Sequence, residues 1–218
     1  MSEFTGSGDT SGSGDEPTPE DVQKYMTQMQ QSSQAQEVQA WMVDESTNTK
    51  YTGPLAIREY RGPKVQDPET GNMCMHGEGS IEFADGSSYE GGFQLDHMHG
   101  KGTFKDTQGN VYIGEWYEDQ RHGQAKFTTI DGSVFEGTYV SNKRHGKGID
   151  EDAAGNRFEG TFADGDPVEG TMDYAEGDVY KGEFAKDWSR HGKGKYISID
   201  TGAVQDGIWV DDVFTGPV

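Results

Sequence analysis

Residues 112–134 read YIGEWYEDQRHGQAKFTTIDGSV, and near copies lie on both sides, YEGGFQLDHMHGKGTFKDTQGNV from Tyr89 and FEGTYVSNKRHGKGIDEDAAGNR from Phe135. The first aromatics of successive copies are Tyr89, Tyr112, Phe135, Phe158 and Tyr180, separated by 23, 23, 23 and 22 residues, with Gln205 in that slot 25 residues later. A fixed period of this length is the mark of a repeat architecture. Most of the chain is built from this one unit.

Alternation decides what the unit is. In Tyr112-Ile-Gly114-Glu-Trp116 the aromatic, glycine and aromatic fall at i, i+2 and i+4, one face of a strand. Tyr89/Gly91/Phe93, Phe135/Gly137/Tyr139, Phe158/Gly160/Phe162 and Tyr180/Gly182/Phe184 repeat the pattern. The second half of each unit shows the same parity in Gly100/Gly102/Phe104, Gly123/Ala125/Phe127 and Gly192/Gly194/Tyr196. A polar turn such as YEDQR separates the halves. Asp85-Gly86, Gln108-Gly109, Asp131-Gly132, Ala154-Gly155, Glu176-Gly177 and Thr201-Gly202 join successive units, glycine supplying the positive φ of a tight turn. Each unit is therefore a β-hairpin that turns directly into the next. Glycine weakens a strand interior unless something approaches its backbone closely, so the in-register glycines predict rings lying flat over neighbouring strands.

Bulk composition restricts function. Of 218 residues 31% are hydrophobic and 32 are glycine, which speaks against a thick globular core. Eighteen Lys+Arg against 39 Asp+Glu give a formal charge of -21, with a pI near 4.4 and a mean hydropathy of -0.88. Nucleic acid and anionic membrane are disfavoured as broad-surface partners, because long-range repulsion opposes both. A single cysteine, Cys74, excludes an intrachain disulfide framework and fits a reducing compartment. The N-terminus lacks a signal-peptide pattern and no apolar run reaches the ~18 residues of a membrane span. These features predict a soluble, cytoplasmic protein.

The organisation predicted from the chain has three parts. Residues 1–17, rich in Gly, Ser, Asp and Thr, read as a disordered leader. Residues 18–44 read as a helical segment: Thr18-Pro19-Glu20-Asp21 is a helix start, and Val22, Tyr25, Met26 and Met29 follow at helical spacing. That segment either caps the array or docks a partner. The array itself is expected over 51–216, opened by Tyr51-Thr-Gly53, interrupted by a Pro-bearing insertion at about 58–72, and closed by a truncated cap at about 205–218. The expected fold class is all-β, an elongated single-layer antiparallel sheet of stacked hairpins with a short N-terminal helical segment.

The unit, Tyr-x-Gly-x-Trp/Phe followed by five variable residues and His-Gly-x-Gly, resembles the MORN (membrane occupation and recognition nexus) repeat; YIGEWYEDQRHGQA and YEGGFQLDHMHGKG match nearly throughout. There are departures. The unit of Phe158 has Pro-Val-Glu-Gly170 in place of His-Gly-x-Gly and is one residue short, that of Tyr180 carries an extra residue before His191, and Ala125 replaces a glycine. The resemblance implies a scaffold. A small acidic chain made almost wholly of such repeats is most similar to the MORN subunits of the radial spoke head in motile cilia, which implies a cytoskeletal, axonemal location. With fewer than ~60 residues outside the repeats, no fused catalytic domain is expected.

The residues that could carry chemistry do not assemble into a site. His76, His99, His122, His145 and His191 occupy equivalent slots, but adjacent units lie two strands, ~10 Å, apart, too far to share one zinc. Asp150-Glu-Asp152-Ala-Ala-Gly155 starts like an EF-hand loop, yet Ala154 and Thr161 stand where ligands belong. No phosphate loop or catalytic set is recognisable, so no enzyme, metal or cofactor is expected. A partner-binding aromatic face is expected from Tyr89, Phe93, Phe104, Tyr112, Trp116, Phe127, Phe135, Tyr139, Phe158, Phe162, Tyr180, Phe184, Tyr196 and Trp209. A basic ridge for an acidic partner or a phosphoinositide headgroup is expected from Arg121, Lys143, Arg144, Lys147, Arg190 and Lys193. The predicted function is a non-catalytic subunit that binds other proteins, with a lipid-binding or enzyme-docking adaptor as the alternative; self-association is compatible with both.

Overall fold

The computed structural model describes residues 56–218. The leader, the 18–44 helical segment and Tyr51-Gly53 lie outside the described residues. One compact unit comprises 53–218, and its described part contains strands and turns with no helix. In chain order the strands are β1 (Ile57–Arg61), β2 (Lys64–Gln66), β3 (Met73–Met75), β4 (Gly77–Phe83), β5 (Ser88–Gln94), β6 (His97–Lys105), β7 (Val111–Tyr117) and β8 (Gln120–Thr128). There follow β9 (Val134–Val140), β10 (Lys143–Glu151), β11 (Arg157–Ala163), β12 (Asp166–Asp173), β13 (Val179–Phe184), β14 (Arg190–Ile197), β15 (Val204–Val210) and β16 (Val213–Gly216). Fourteen of them form one antiparallel sheet in the order β1, then β4 through β16, and β2 with β3 makes a separate small hairpin.

Two cross-strand rows organise the sheet. The first runs Gly79, Gly91, Gly102, Gly114, Ala125, Gly137, Gly148, Gly160, Gly170, Gly182, Gly194 and Gly207, each residue paired with the next from β4 to β15. Ala125 is its one exception. Two residues along each strand runs the second row: Tyr60, Ile81, Tyr89, Phe104, Tyr112, Phe127, Phe135, Asp150, Phe158, Met172, Tyr180, Tyr196 and Gln205. The rings of Tyr60, Tyr89, Phe135, Phe158 and Tyr180 lie down over the first row. A Cβ placed on Gly148 would sit 2.8 Å from the Phe135 ring, and one on Gly170 2.7 Å from Phe158.

Flattened in this way, the rings touch edge to face in an unbroken series. Within a unit Tyr89 meets Phe93 at 5.1 Å and Tyr112 meets Trp116 at 5.0 Å; between units Tyr89 meets Trp116 at 5.4 Å and Tyr112 meets Tyr139 at 5.4 Å. The series continues through Phe135, Phe162, Phe158, Phe184 and Tyr180 to Trp209. Each such T-shaped pair contributes about 0.5–1.5 kcal/mol beyond its buried area. This herringbone is the hydrophobic core of the sheet, and no second layer covers it among the described residues.

The expected exposed aromatic face is thereby corrected. Tyr89, Phe93, Tyr112, Trp116, Phe135, Tyr139, Phe158, Phe162, Tyr180, Phe184 and Trp209 are all buried, Tyr180 fully. Only Phe104, Phe127 and Tyr196 of that set are half-buried. Periodicity places these rings on one face correctly, but the glycine row lets them bury one another instead of awaiting a partner.

Tyrosines in the ring row carry a further bond: the Tyr89, Tyr112 and Tyr180 hydroxyls donate to the carbonyls of Gly92 (3.0 Å), Glu115 (2.9 Å) and Glu183 (3.0 Å), each three residues on. Phe135 lacks the hydroxyl in the same pose. Phe135→Tyr is therefore expected to stabilise the protein by about 0.5–1.5 kcal/mol, read as a higher urea midpoint; an unchanged or lower midpoint refutes the equivalence of the units.

Glycine's conformational freedom is used at two places. The inter-unit turns have φ of +92, +96 and +94° at Gly86, Gly109 and Gly132, as the turn reading required. The His-Gly glycines, φ +59° at Gly123 and +68° at Gly192, sit at the register shifts that bulge the second strand of their hairpins. Sequence reasoning gave no structural reason for His-Gly; the bulge is that reason.

The ends differ from expectation. β1 lies within the stretch expected as an insertion, yet it joins the main sheet, and its Tyr60 ring packs on Gly79 and Gly62. Tyr60-x-Gly62 is thus the opening ring-and-glycine pair, hidden by its irregular distance from Tyr89. The excursion proper is the β2–β3 hairpin, where Cys74 is buried in a strand and burial pushes its thiol up to about 11. At the far end Gln205 supplies no ring, and the Gly216 carbonyl and Pro217 cover Gly207 in its place.

Candidate functional site

The hairpin tips set the periphery of the ring face. Leu95-Asp96, Glu118-Asp119, Ser141-Asn142 and Asp211-Asp212 all have positive φ at both residues, which hairpin twist favours in two-residue turns. The second residue of each turn reaches back one unit. Asp119 Oδ1 accepts from Met98 N at 2.8 Å, Asn142 Oδ1 from Arg121 N at 2.9 Å, and Asp212 Oδ1 from Arg190 N at 3.0 Å. The backbone N–H groups of Asp119, Asn142 and Asp212 donate to the same three partners' carbonyls. The recurrence of Asp96, Asp119 and Asn142 at 23 residues was the available signal for this turn ladder.

Residues aligned by the ladder lie over the rings. Arg121 spans Tyr139 at 5.1 Å and Tyr112 and Phe127 at 5.8 Å. Arg144 covers Phe135 at 5.2 Å and Phe162 at 5.6 Å, and Arg190 covers Trp209 at 4.4 Å and Tyr196 at 5.0 Å. Each arginine bridges its own unit and the next by cation–π attraction. The single basic ridge therefore divides. Arg121, Arg144 and Arg190 are half-buried on the ring face, Lys143 is exposed at the groove rim, and Lys147 and Lys193 line shallow grooves on the opposite face. The reason is parity: Arg144 pairs with Tyr139 of the ring face, whereas Lys147 pairs with Thr161 of the other.

The ring row has one charged member, Asp150, flanked by Phe135 and Phe158. An open groove of about 710 Å³ occupies this part of the ring face, lined by Arg121, Phe127, Arg144, Asp150, Met172, Tyr174 and Trp188 among others. Asp150 accepts a hydrogen bond from Arg144 Nη1. Burial pushes its carboxyl above the usual range, against the opposing pull of the Arg144 guanidinium. Asp152, the neighbour in the EF-hand-like string, is a turn former: its Oδ1 accepts from the N–H groups of Ala154 (2.8 Å) and Asn156 (2.9 Å).

The family model of the MORN repeat matches residues 75–88, 89–111, 112–134, 135–149 and 180–202. The chain carries MORN repeats. These are non-catalytic units that mediate protein–protein or membrane interactions. The unmatched interior, 150–179, begins at Asp150, includes Pro167 and supplies part of the groove lining, Asp150, Met172 and Tyr174 among it. No curated protein matches the chain.

Pro167 stands where neighbouring MORN units have Arg121, Arg144 and Arg190, opposite the second ring of the unit, Phe162. Trp188, in the turn lengthened by one residue, packs on Phe158 at 5.2 Å and Phe162 at 5.9 Å, and Arg144 lies 6.0 Å from its ring. The two departures in length compensate each other. Sequence reasoning found both but not their connection, which spans more than twenty residues of chain.

Proposed function

We propose that the protein is a non-catalytic, protein-binding subunit of a large cytoskeletal assembly, with the radial spoke head of motile cilia as that assembly and the axoneme as its location. The observation that carries the protein-binding part is the open groove on the ring face of the MORN sheet, where apolar Phe127, Met172, Tyr174 and Trp188 adjoin Arg121 and Arg144. Concave sites that combine apolar walls with a few convergent polar groups are built for recognition. The axonemal part is supported by the strongly acidic balance and by the share of the chain given to repeats. Fractionation of a tagged copy in ciliated cells tests it: retention in the axoneme through detergent and then high salt is expected, and release by detergent overturns it.

A second reading has its own observation. Lys147 and Lys193 are exposed on the opposite face without an ion-pair partner among the described residues, a foothold for phosphoinositides. Glu159, Glu169 and Glu183 line the same grooves and oppose it. Flotation with phosphoinositide liposomes that is abolished in a Lys147 and Lys193 double alanine variant would favour this reading.

A further inference from the structure

We infer that the gap in the ring row at Asp150 is a socket for an extended, acidic peptide of a partner protein, which inserts a tyrosine over Asp150 and sets a carboxylate against Arg121. The inference rests on three features of the ring face. The strands two away from β10 on either side, β8 and β12, present Phe127 and Met172 in this row, and Asp150 alone substitutes a short carboxylate, leaving the groove between Phe135 on β9 and Phe158 on β11. A ring entering there completes the row with the edge-to-face neighbours that the protein's own rings have.

A tyrosine suits the floor of the socket. The Asp150 carboxylate accepts from Arg144 through one oxygen, which leaves acceptor capacity for a phenol O–H. The same pairing occurs within this protein, where the Tyr196 hydroxyl donates to Asp178. A phenylalanine would fill the space but leave the half-buried carboxylate without that donor.

Charge complementarity supplies the second contact. Arg144 and Arg190 are paired with Asp150 and Asp212. Arg121 instead donates to the Asn142 carbonyl at 3.1 Å and has no carboxylate partner among the described residues. Held by three rings and the turn, it is a positioned cation on a chain of net charge -21. The Arg121 guanidinium lies 5.8 Å from the ring of Phe127, which holds the slot of Asp150 two strands earlier, ~10 Å across the sheet. A chain crossing the strands at ~3.1 Å per residue in the polyproline II conformation spans that distance in three residues and returns its side chains to the same side. The ligand is thus an acid and a tyrosine three positions apart, and the mode is recognition of an extended segment.

The test pans a library of random twelve-residue peptides against the full chain, then measures the strongest binder as a fluorescein conjugate by polarisation. Enriched peptides are expected to pair an acid with a tyrosine. Asp150→Phe closes the socket with the residue type its neighbours carry, so it preserves the fold and is expected to weaken binding about tenfold or more, the scale of one anchor. Arg121→Gln should weaken it comparably, and Lys147→Gln on the other face should leave it within about twofold. No enrichment, enrichment of basic peptides, or binding indifferent to Asp150→Phe overturns the socket. Selective binding of phosphoinositide vesicles through Arg121 overturns it in favour of a lipid. The inference rests on the protein-binding reading, and the two fail separately: axonemal retention unaffected by Asp150→Phe leaves the assembly standing and refutes the socket, whereas detergent release with tight socket binding refutes the assembly alone.

Discussion

Gly114→Val is expected to lower the stability of the array by about 3 kcal/mol or more, whereas Glu118→Gln, four residues on, leaves it within about 0.5 kcal/mol. Gly114 pairs with Ala125, the one residue of the glycine row that has a Cβ, so the row there already holds one methyl. A Cβ on Gly114 would lie 2.8 Å from the Ala125 Cα and 2.9 Å from the Gln124 carbonyl oxygen. Those are backbone atoms, and rotating a side chain cannot relieve them. Valine adds two methyls where Cβ alone does not fit. Relief requires β7 and β8 to part, or Tyr112 to leave its bed and with it its hydroxyl bond and its contacts to Trp116 and Tyr139. Glu118 is an exposed residue at a hairpin tip, where glutamine keeps shape and hydrogen-bonding capacity. Urea unfolding followed by tryptophan fluorescence separates the two. Equal effects would mean that the glycine row is incidental to the fold.

That row shows how much the sequence discloses. Strand parity, the inter-unit glycine turns and the antiparallel order all follow from periods of two and twenty-three, which survive in any register. What the rings do on their face does not follow. Whether Tyr112 stands off the sheet or lies on it depends on which strand faces its glycines, a relation set by pairing between units rather than within one. The expectation of an exposed aromatic face failed on that step. The ridge failed for a related reason: the bulge at His-Gly changes parity between Arg144 and the residues after it, so neighbours in sequence part to opposite faces. In its local string Asp150 reads as part of a defective calcium loop; within the slot series of Phe104, Phe127 and Tyr196 it reads as the gap in the row. Trp188 could not be assigned, because its partners Phe158 and Phe162 belong to the preceding unit.

Trp188→Ala is expected to cost about 2 kcal/mol, less than truncation of a fully buried tryptophan because the ring is half-buried, and to divide a cooperative transition into two. The unit borders on either side are held twice, by the strand ladder and by turn-to-turn bonds such as Asn142 N to Arg121 O at 3.0 Å and Gly165 N to Arg144 O at 2.9 Å. Between β12 and β13 the second tie is missing: Pro167 has no N–H, and the 185–189 turn bonds within itself, Trp188 N to Ala185 O at 3.0 Å and Ala185 N to Ser189 O at 2.9 Å. Among the contacts that span this border, Trp188 on Phe158 and Phe162 replaces the arginine bridge of the other units, assisted by the exposed Lys186–Asp166 ion pair. In a linear array stability is a sum of unit and nearest-neighbour terms, and the weakest interface sets where cooperativity breaks. Without the indole, 179–216 should open before 89–163. Hydrogen exchange at rising urea resolves the two blocks, and Trp188→Phe, which keeps a ring on Phe158, should restore single-step opening. A uniform loss of protection along the sheet in Trp188→Ala would show that strand pairing alone couples the units, and that the lengthened turn holds nothing together.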